Sequence, residues 1–189
     1  RWVRPERSSQ RSVAEQFKQV DLPTLEPNIM QQQFIANFNE LRANQAKRGL
    51  LISATGTGKT YAAAFAMREM NPKRILFLVH REQIAKQAMA SFERVYNDPS
   101  ITFGLVSGNV KKYDATHVFS TMQMMGRYDV MKQYDPKTFD CIIIDEVHRA
   151  GSESYQRIID YFKPQFLLGM TASPERTDGY DLDELFDHN

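Results

Sequence analysis

Residues 50–65, LLISATGTGKTYAAAF, run from apolar residues into a Thr/Gly turn, then a lysine, then an alanine-rich tract. A strand, a phosphate-binding turn and a helix read this way. Glycines in such a turn permit backbone conformations that aim successive N–H groups at phosphate oxygens, and the helix N-terminus adds its positive dipole end. In a turn of that kind Thr55, Gly56, Thr57 and Gly58 would make the loop, Lys59 would reach the β- and γ-phosphates, and Thr60 would offer its hydroxyl to Mg²⁺. The strict pattern asks for glycine where this chain has Ser53, so the match is incomplete. Taken alone, the stretch also reads as an ordinary glycine turn before a surface lysine.

The rest of the body alternates. Further apolar runs lie at 74–79 (RILFLV), 102–106 (TFGLV), 117–120 (HVFS), 141–145 (CIIID) and 165–170 (QFLLGM), beside the first at 50–54. Helical periodicity falls between several of them: Ile84, Ala88, Phe92 and Val95 share one face, as do Tyr155, Ile158, Ile159 and Phe162. Upstream, Met30, Phe34, Phe38 and Leu41 predict a helix ending near Lys47–Gly49. Short continuous apolar strands separated by amphipathic helices indicate an α/β fold with a mostly parallel sheet covered on both faces. Ligands of such sheets sit beyond the carboxyl ends of the strands.

Composition adds bounds rather than a function. The chain has 189 residues, with 24 Lys and Arg against 23 Asp and Glu, so any basic surface for nucleic acid must be local. Its single cysteine, Cys141, excludes an internal disulfide and a cysteine zinc cluster, as expected in a reducing compartment. No apolar run approaches the ~20 residues of a membrane span, and RWVRPERSSQR lacks the apolar region of a signal peptide. The expectation is a cytoplasmic protein without a membrane partner. A start at Arg1 rather than Met suggests an excised fragment.

Two other strand ends carry unusual chemistry. An acidic residue closing the buried run CIIID costs free energy unless something neutralises it, and a bound cation does so. Asp145 is thus the candidate Mg²⁺ ligand, and Glu146 the group that orients and deprotonates an attacking water. Both residues also suit the start of a helix, where the dipole favours acids. After QFLLGM, Thr171 and Ser173 are placed to hydrogen-bond the carboxylates or His148 and sense the nucleotide state; a Thr/Ser turn before Pro174 is the plainer alternative.

Together these segments resemble the first RecA-like motor domain of superfamily 2 helicases and translocases of the DExH group. ATGTGKT is similar to motif I, LVHREQIAKQA to motif Ia, STMQ to motif Ib, DEVH to motif II and TAS to motif III, in the family's order. LGMTASPERTDG resembles the form seen in restriction-enzyme motor subunits and XPB-type helicases. The resemblance implies a P-loop NTPase three-layer fold, ATP and Mg²⁺ as cofactors, and catalytic roles for Lys59, Asp145, Glu146 and His148. It also implies an adenine-reading glutamine. Gln31 is the best candidate, with Gln32 and Gln33 leaving its register open. Motifs Ia and Ib imply nucleic-acid backbone contacts from His80, Arg81, Gln83, Thr121 and Gln123, although Arg81 also suits a helix cap or a surface ion pair.

The expected organisation is a polar linker over 1–26, the ATP-binding domain over 27–180 and an acidic lead-in over 181–189 to a second RecA-like domain. That second domain supplies arginine fingers, so the isolated chain is expected to hydrolyse poorly. The expected partners are DNA or RNA, with DNA favoured, the second domain of the same parent chain, and an attached nuclease or other domain. Two rival readings stand beside this one: another P-loop enzyme or switch, and a nucleic-acid-binding module with a degenerate ATPase.

Overall fold

A computed structural model describes residues 24–54, 56–147 and 153–172. Six strands form one sheet: β1 (Arg48–Ile52), β2 (Ile75–Val79), β3 (Phe103–Val106), β4 (His117–Thr121), β5 (Cys141–Asp145) and β6 (Phe166–Thr171). Their order across the sheet is β1-β6-β5-β2-β4-β3, and every ladder between them is parallel. All six expected strands are present, the first starting at Arg48 rather than Leu50.

Six helices accompany them: α1 (Ile29–Ala43), α2 (Lys59–Met70), α3 (Glu82–Tyr96), α4 (Met122–Met125), α5 (Tyr128–Met131) and α6 (Glu153–Tyr161). The two-residue period of the strands sorts their side chains between two cores. Ile75, Phe77 and Val79 of β2 point to the face covered by α1, α2 and α3, while Leu76 and Leu78 point to the face covered by α4, α5 and α6. The sheet is therefore buried on both sides, which explains why its strands read as continuous apolar runs.

Local chemistry sets the helix ends. Asn71 and Asn97 close α2 and α3 in the left-handed conformation that Asn tolerates better than most residues. Ala62, Ala63, Ala64 and Ala66 are all buried, so α2 lies close under its neighbours. The carboxylate of Asp140 accepts from the backbone N–H of Lys73 and Arg74 and from Gln165 Nε2, tying the entrances of β2 and β6 to that of β5.

Three expectations change. Helix α1 stops at Ala43 and turns through Gln45 at φ 61° before β1, several residues short of the expected Lys47–Gly49. Its buried ridge is Gln31, Ile35 and Phe38, with Met30 58% exposed. Leu25, inside the expected linker, packs partly buried against the core. Residues 1–23 of the expected linker and the expected acidic lead-in over 181–189 lie outside the described residues. No helix among the described residues is long and apolar enough to cross a membrane.

His117 opens β4 fully buried, its ring edge-on to Tyr96 at 4.8 Å and Phe103 at 5.2 Å between centroids. Neither ring nitrogen has a hydrogen-bond partner, and burial pushes its pKa down to about 4. The folded protein therefore holds this histidine neutral, while the unfolded chain takes up a proton near pH 6.5. Stability should be full above that value and fall as pH drops from about 6.5 towards 4, by about 3 kcal/mol for the whole shift. Denaturant unfolding across this range should show the slope, and His117→Phe should remove one proton's worth of it.

Candidate functional site

The turn after β1 is built by two left-handed glycines and a set of short loop bonds. Gly56 has φ 79° and Gly58, the N-cap of α2, has φ 83°, conformations that L side chains rarely adopt. Ser53 N–H donates to the Thr171 carbonyl at 3.0 Å, so the loop leaves the sheet anchored to β6. Thr57 Oγ1 donates to the Ala54 carbonyl at 2.7 Å and lies 2.7 Å from Ser53 Oγ. Ser53, where the strict pattern has glycine, thus braces the loop with its hydroxyl. Lys59 folds back over the same turn, its Nζ donating to the carbonyls of Ser53 at 2.9 Å and Ala54 at 3.3 Å. Thr55 lies outside the described residues.

Across the sheet edge, β5 ends in Asp145, whose Oδ1 accepts from the Glu146 N–H at 3.0 Å. Glu146 itself has φ 54°. A non-glycine residue in that region costs about 1–2 kcal/mol, and such strain concentrates at sites where geometry matters more than stability. The register explains the meeting of these segments: β6 pairs Ile52 with Thr171 on one side and Asp145 with Met170 on the other. Gly56, Gly58, Lys59 and Thr60 therefore share a cleft of about 580 Å³ with Asp145 and Glu146.

The far wall of the cleft comes from residues to which the sequence pattern assigns no chemical role. Ile84, Gln87, Ala88 and Ser91 line it from α3, and Tyr61 from α2. Ile84, which the helical period assigns to the core face of α3, is instead 36% exposed and faces the cleft. The spacing of 3, 1 and 3 along α3 was visible in the sequence. Which stripe of the helix meets the loop depends on how α3 lies against α2.

Gln31 does not line the cleft that holds the carboxylates but a small cavity beside the loop with Ser53, Thr57 and Lys59. It is 8% exposed, and its Nε2 lies 3.0 Å from where a Cβ on Gly58 would sit. Gln32 donates to the Pro27 carbonyl and Gln33 to Asn37; Gln31 packs on Gly58 of the loop, while Gln33 borders a neighbouring groove that also reaches Ser53. Beside it a groove of about 650 Å³ runs between α1 and the end of β1, lined by Met30, Phe34, Leu51 and Ile52.

The remaining expected residues gather at the ends of β2 and β4. Val79 pairs with Thr121, which brings His80, Arg81 and Gln83 alongside Thr121 and Gln123. Arg81 is the exposed N-cap of α3 without a side-chain cap bond, and Thr121 caps α4 by accepting from Met124 N–H at 3.1 Å. Gln83 and Gln123 are exposed and His80 half-buried. Thr171 is buried at the end of β6. His148 and Ser173 lie outside the described residues.

A parallel sheet, a glycine turn opening a helix, and acids at the end of the strand two places away define a RecA-like P-loop domain. The family model described as type III restriction enzyme, res subunit, matches residues 24–176. The chain belongs to that family. It is 33% identical over 166 residues to the type I restriction enzyme EcoAI endonuclease subunit of Escherichia coli, covering 80% of this chain and 20% of that protein. The DNA 3'-5' translocase XPB2 of Sulfurisphaera tokodaii is 28% identical over 133 residues, covering 70% of this chain and 28% of the relative. The helicase domain of Pyrococcus furiosus Hef superposes with a TM-score of 0.64 at 23% identity, over 80% of this chain and 34% of that one. The chain thus spans between a fifth and a third of the length of these relatives.

The strain at position 146 makes a separate stability prediction. Glu146→Gly should be more stable than Glu146→Ala by about 1 kcal/mol, because only glycine relieves the left-handed backbone. Equal melting temperatures for the two variants would show that the backbone there is unstrained.

Proposed function

We propose that the whole protein hydrolyses ATP and couples hydrolysis to movement along, or unwinding of, a nucleic acid, with this chain as its first motor domain. The observation that carries the reading is the shared cleft, in which Lys59 and Thr60 face the same space as Asp145 and Glu146. A phosphate-binding turn alone supports nucleotide binding. A carboxylate pair in the same cavity supports hydrolysis.

In this reading the loop amides and Lys59 hold the phosphates. Phosphate oxygens form charge-assisted bonds with an ammonium group, which favours them over the neutral carbonyls that Lys59 touches here. Thr60 and Asp145 offer oxygen donors of the kind that Mg²⁺ prefers. That ion needs only one or two protein ligands beside water and phosphate. This fits a site where no group of three His, Cys, Asp or Glu gathers among the described residues. When bound, the ion neutralises charge on the phosphates.

Glu146 orients the attacking water and takes its proton, with His148 beside it in the sequence. Thr171 and Ser173 link the nucleotide state to the nucleic-acid groove, and the Ser53 to Thr171 bond supplies one arm of that link. Gln31 reads the adenine edge while Met30, Phe34 and Leu51 take the flat ring. His80, Arg81, Gln83, Thr121 and Gln123 contact the nucleic-acid backbone without reading sequence.

Relatives named as a restriction endonuclease subunit and a DNA translocase favour DNA over RNA, and an attached nuclease domain in the parent protein. A second RecA-like domain completes the cleft and brings an arginine finger, a group worth ~10³ to 10⁵ in rate. Domain closure on ATP and reopening after hydrolysis provide the step. The first domain runs from about residue 24, because Leu25 packs on its core, to 180, with the preceding residues as linker and 181–189 as the lead-in.

Nucleic-acid-stimulated ATPase of the parent protein tests the assignment. Glu146→Gln should lower the stimulated rate by about 10² to 10⁴, the usual worth of a positioned general base, while ATP affinity stays within a few-fold of wild type. An unchanged stimulated rate would sink the mechanism.

A further inference from the structure

Helix α1 begins with a reciprocal pair of bonds. Asn28 Oδ1 accepts from the Gln31 N–H at 2.9 Å, and the Asn28 N–H donates to Gln31 Oε1 at 2.9 Å. This is a capping box with glutamine in the third position, and it satisfies donors that a helix start otherwise leaves open. Here it has a second effect. A glutamine amide can normally turn end for end, exchanging its oxygen and its NH₂. At Gln31 the exchanged form sets NH₂ against the Asn28 N–H, donor facing donor, so the oxygen stays on the Asn28 side. The NH₂ group is left against Gly58 in the phosphate loop, where the absence of a side chain makes room for it.

A fixed amide discriminates between purines. Adenine presents an N7 acceptor beside an N6 amino donor, whereas guanine presents two acceptors, N7 and O6. An amide whose nitrogen faces N7 and whose oxygen retains a lone pair for N6 matches adenine. Guanine would set O6 against that oxygen, two acceptors in contact.

We propose that Asn28 is a positioning residue for nucleotide choice: by closing the capping box it fixes the direction of the Gln31 amide, so that the site takes adenine nucleotides and turns guanine nucleotides away. The inference rests on the reading of Gln31 as the group that faces the base, and adds to it the residue that sets the amide's direction. Asn28 acts only through Gln31. Its side chain pins the first turn of α1, and with that turn the backbone N–H that holds Gln31 Oε1.

The test is displacement of ribose-labelled N-methylanthraniloyl-ADP by ADP and by GDP from the full-length protein, with melting temperature followed in parallel. Wild type should prefer ADP. In Asn28→Ala the ratio of GDP to ADP dissociation constants should shrink by about five-fold, the order of the loss of one capping interaction. Asn28→Asp, whose carboxylate accepts the same N–H, should restore it. Gln31→Glu keeps a cap-competent oxygen but removes the NH₂ donor, so it should weaken ADP about ten-fold with an unchanged melting temperature.

A purely structural cap gives a different pattern: Asn28→Ala melts lower and keeps the wild-type ratio, which overturns the proposal. Equal wild-type affinity for ADP and GDP overturns it as well. If Gln31→Ala leaves ADP affinity unchanged, the base-facing reading of Gln31 fails, and the role of Asn28 with it. If Gln31→Ala weakens ADP while Asn28→Ala changes only melting, the base-facing reading survives and the positioning role does not.

Discussion

Every ladder in this sheet is parallel, and a parallel ladder obliges the chain to leave each strand at the same edge. Segments far apart in sequence are thereby set side by side without any contact of their own. The order β1-β6-β5 does the essential work, because it interposes β6 between the strand that feeds the phosphate loop and the strand that ends in Asp145. The loop and the acids are separated by one strand's width, enough for a phosphate chain and an ion between them. The continuation of the order through β2 and β4 carries the same edge on to Arg81 and Thr121, outside the cleft but on its shoulder.

Such an edge leaves the backbone with conformations that ordinary residues resist. Gly56, Gly58 and Glu146 all have positive φ, and all line the cleft. The two glycines adopt it at little cost, and Gly58 has a second reason to lack a side chain in the Gln31 amide packed against it. Glu146 has no such excuse. A residue held in a costly conformation beside a phosphate-binding loop is stable only because β5, the Asp145 bond to its own N–H and the packing of the buried Val147 determine its backbone. The acid is held in place by the same forces that make it unfavourable there.

Much of this was legible in the sequence, for physical reasons that also mark the limit. Strands buried on both faces must be apolar at every position, so CIIID and RILFLV announced themselves, as did the glycine–lysine turn between strand and helix. Position within a helix face was harder. Met30 and Ile84 are apolar and fall on the expected stripes, yet both line cavities, because a site facing a flat or partly apolar ligand borrows residues that otherwise mark a core. Gln31 could not be told from Gln32 and Gln33, since its burial comes from a capping partner three residues back and a glycine 27 residues on. His117 gave no signal at all. Its seat among Tyr96 and Phe103 depends on α3 lying across β3 and β4, which periodicity does not encode.

The bond from Ser53 N–H to the Thr171 carbonyl gives the fold its most consequential joint. Ser53 belongs to the loop that also carries the Lys59 contacts, so the position of the lysine, the loop and the end of β6 are set together. A ligand that draws Lys59 away from the Ser53 and Ala54 carbonyls removes two of the bonds that hold this arrangement. The chain leaves β6 immediately beyond Thr171 and is buried up to that residue. Under the proposed function, phosphate binding at one end of the joint therefore reaches the segment leading towards the second domain through one backbone hydrogen bond, with no rearrangement of the sheet.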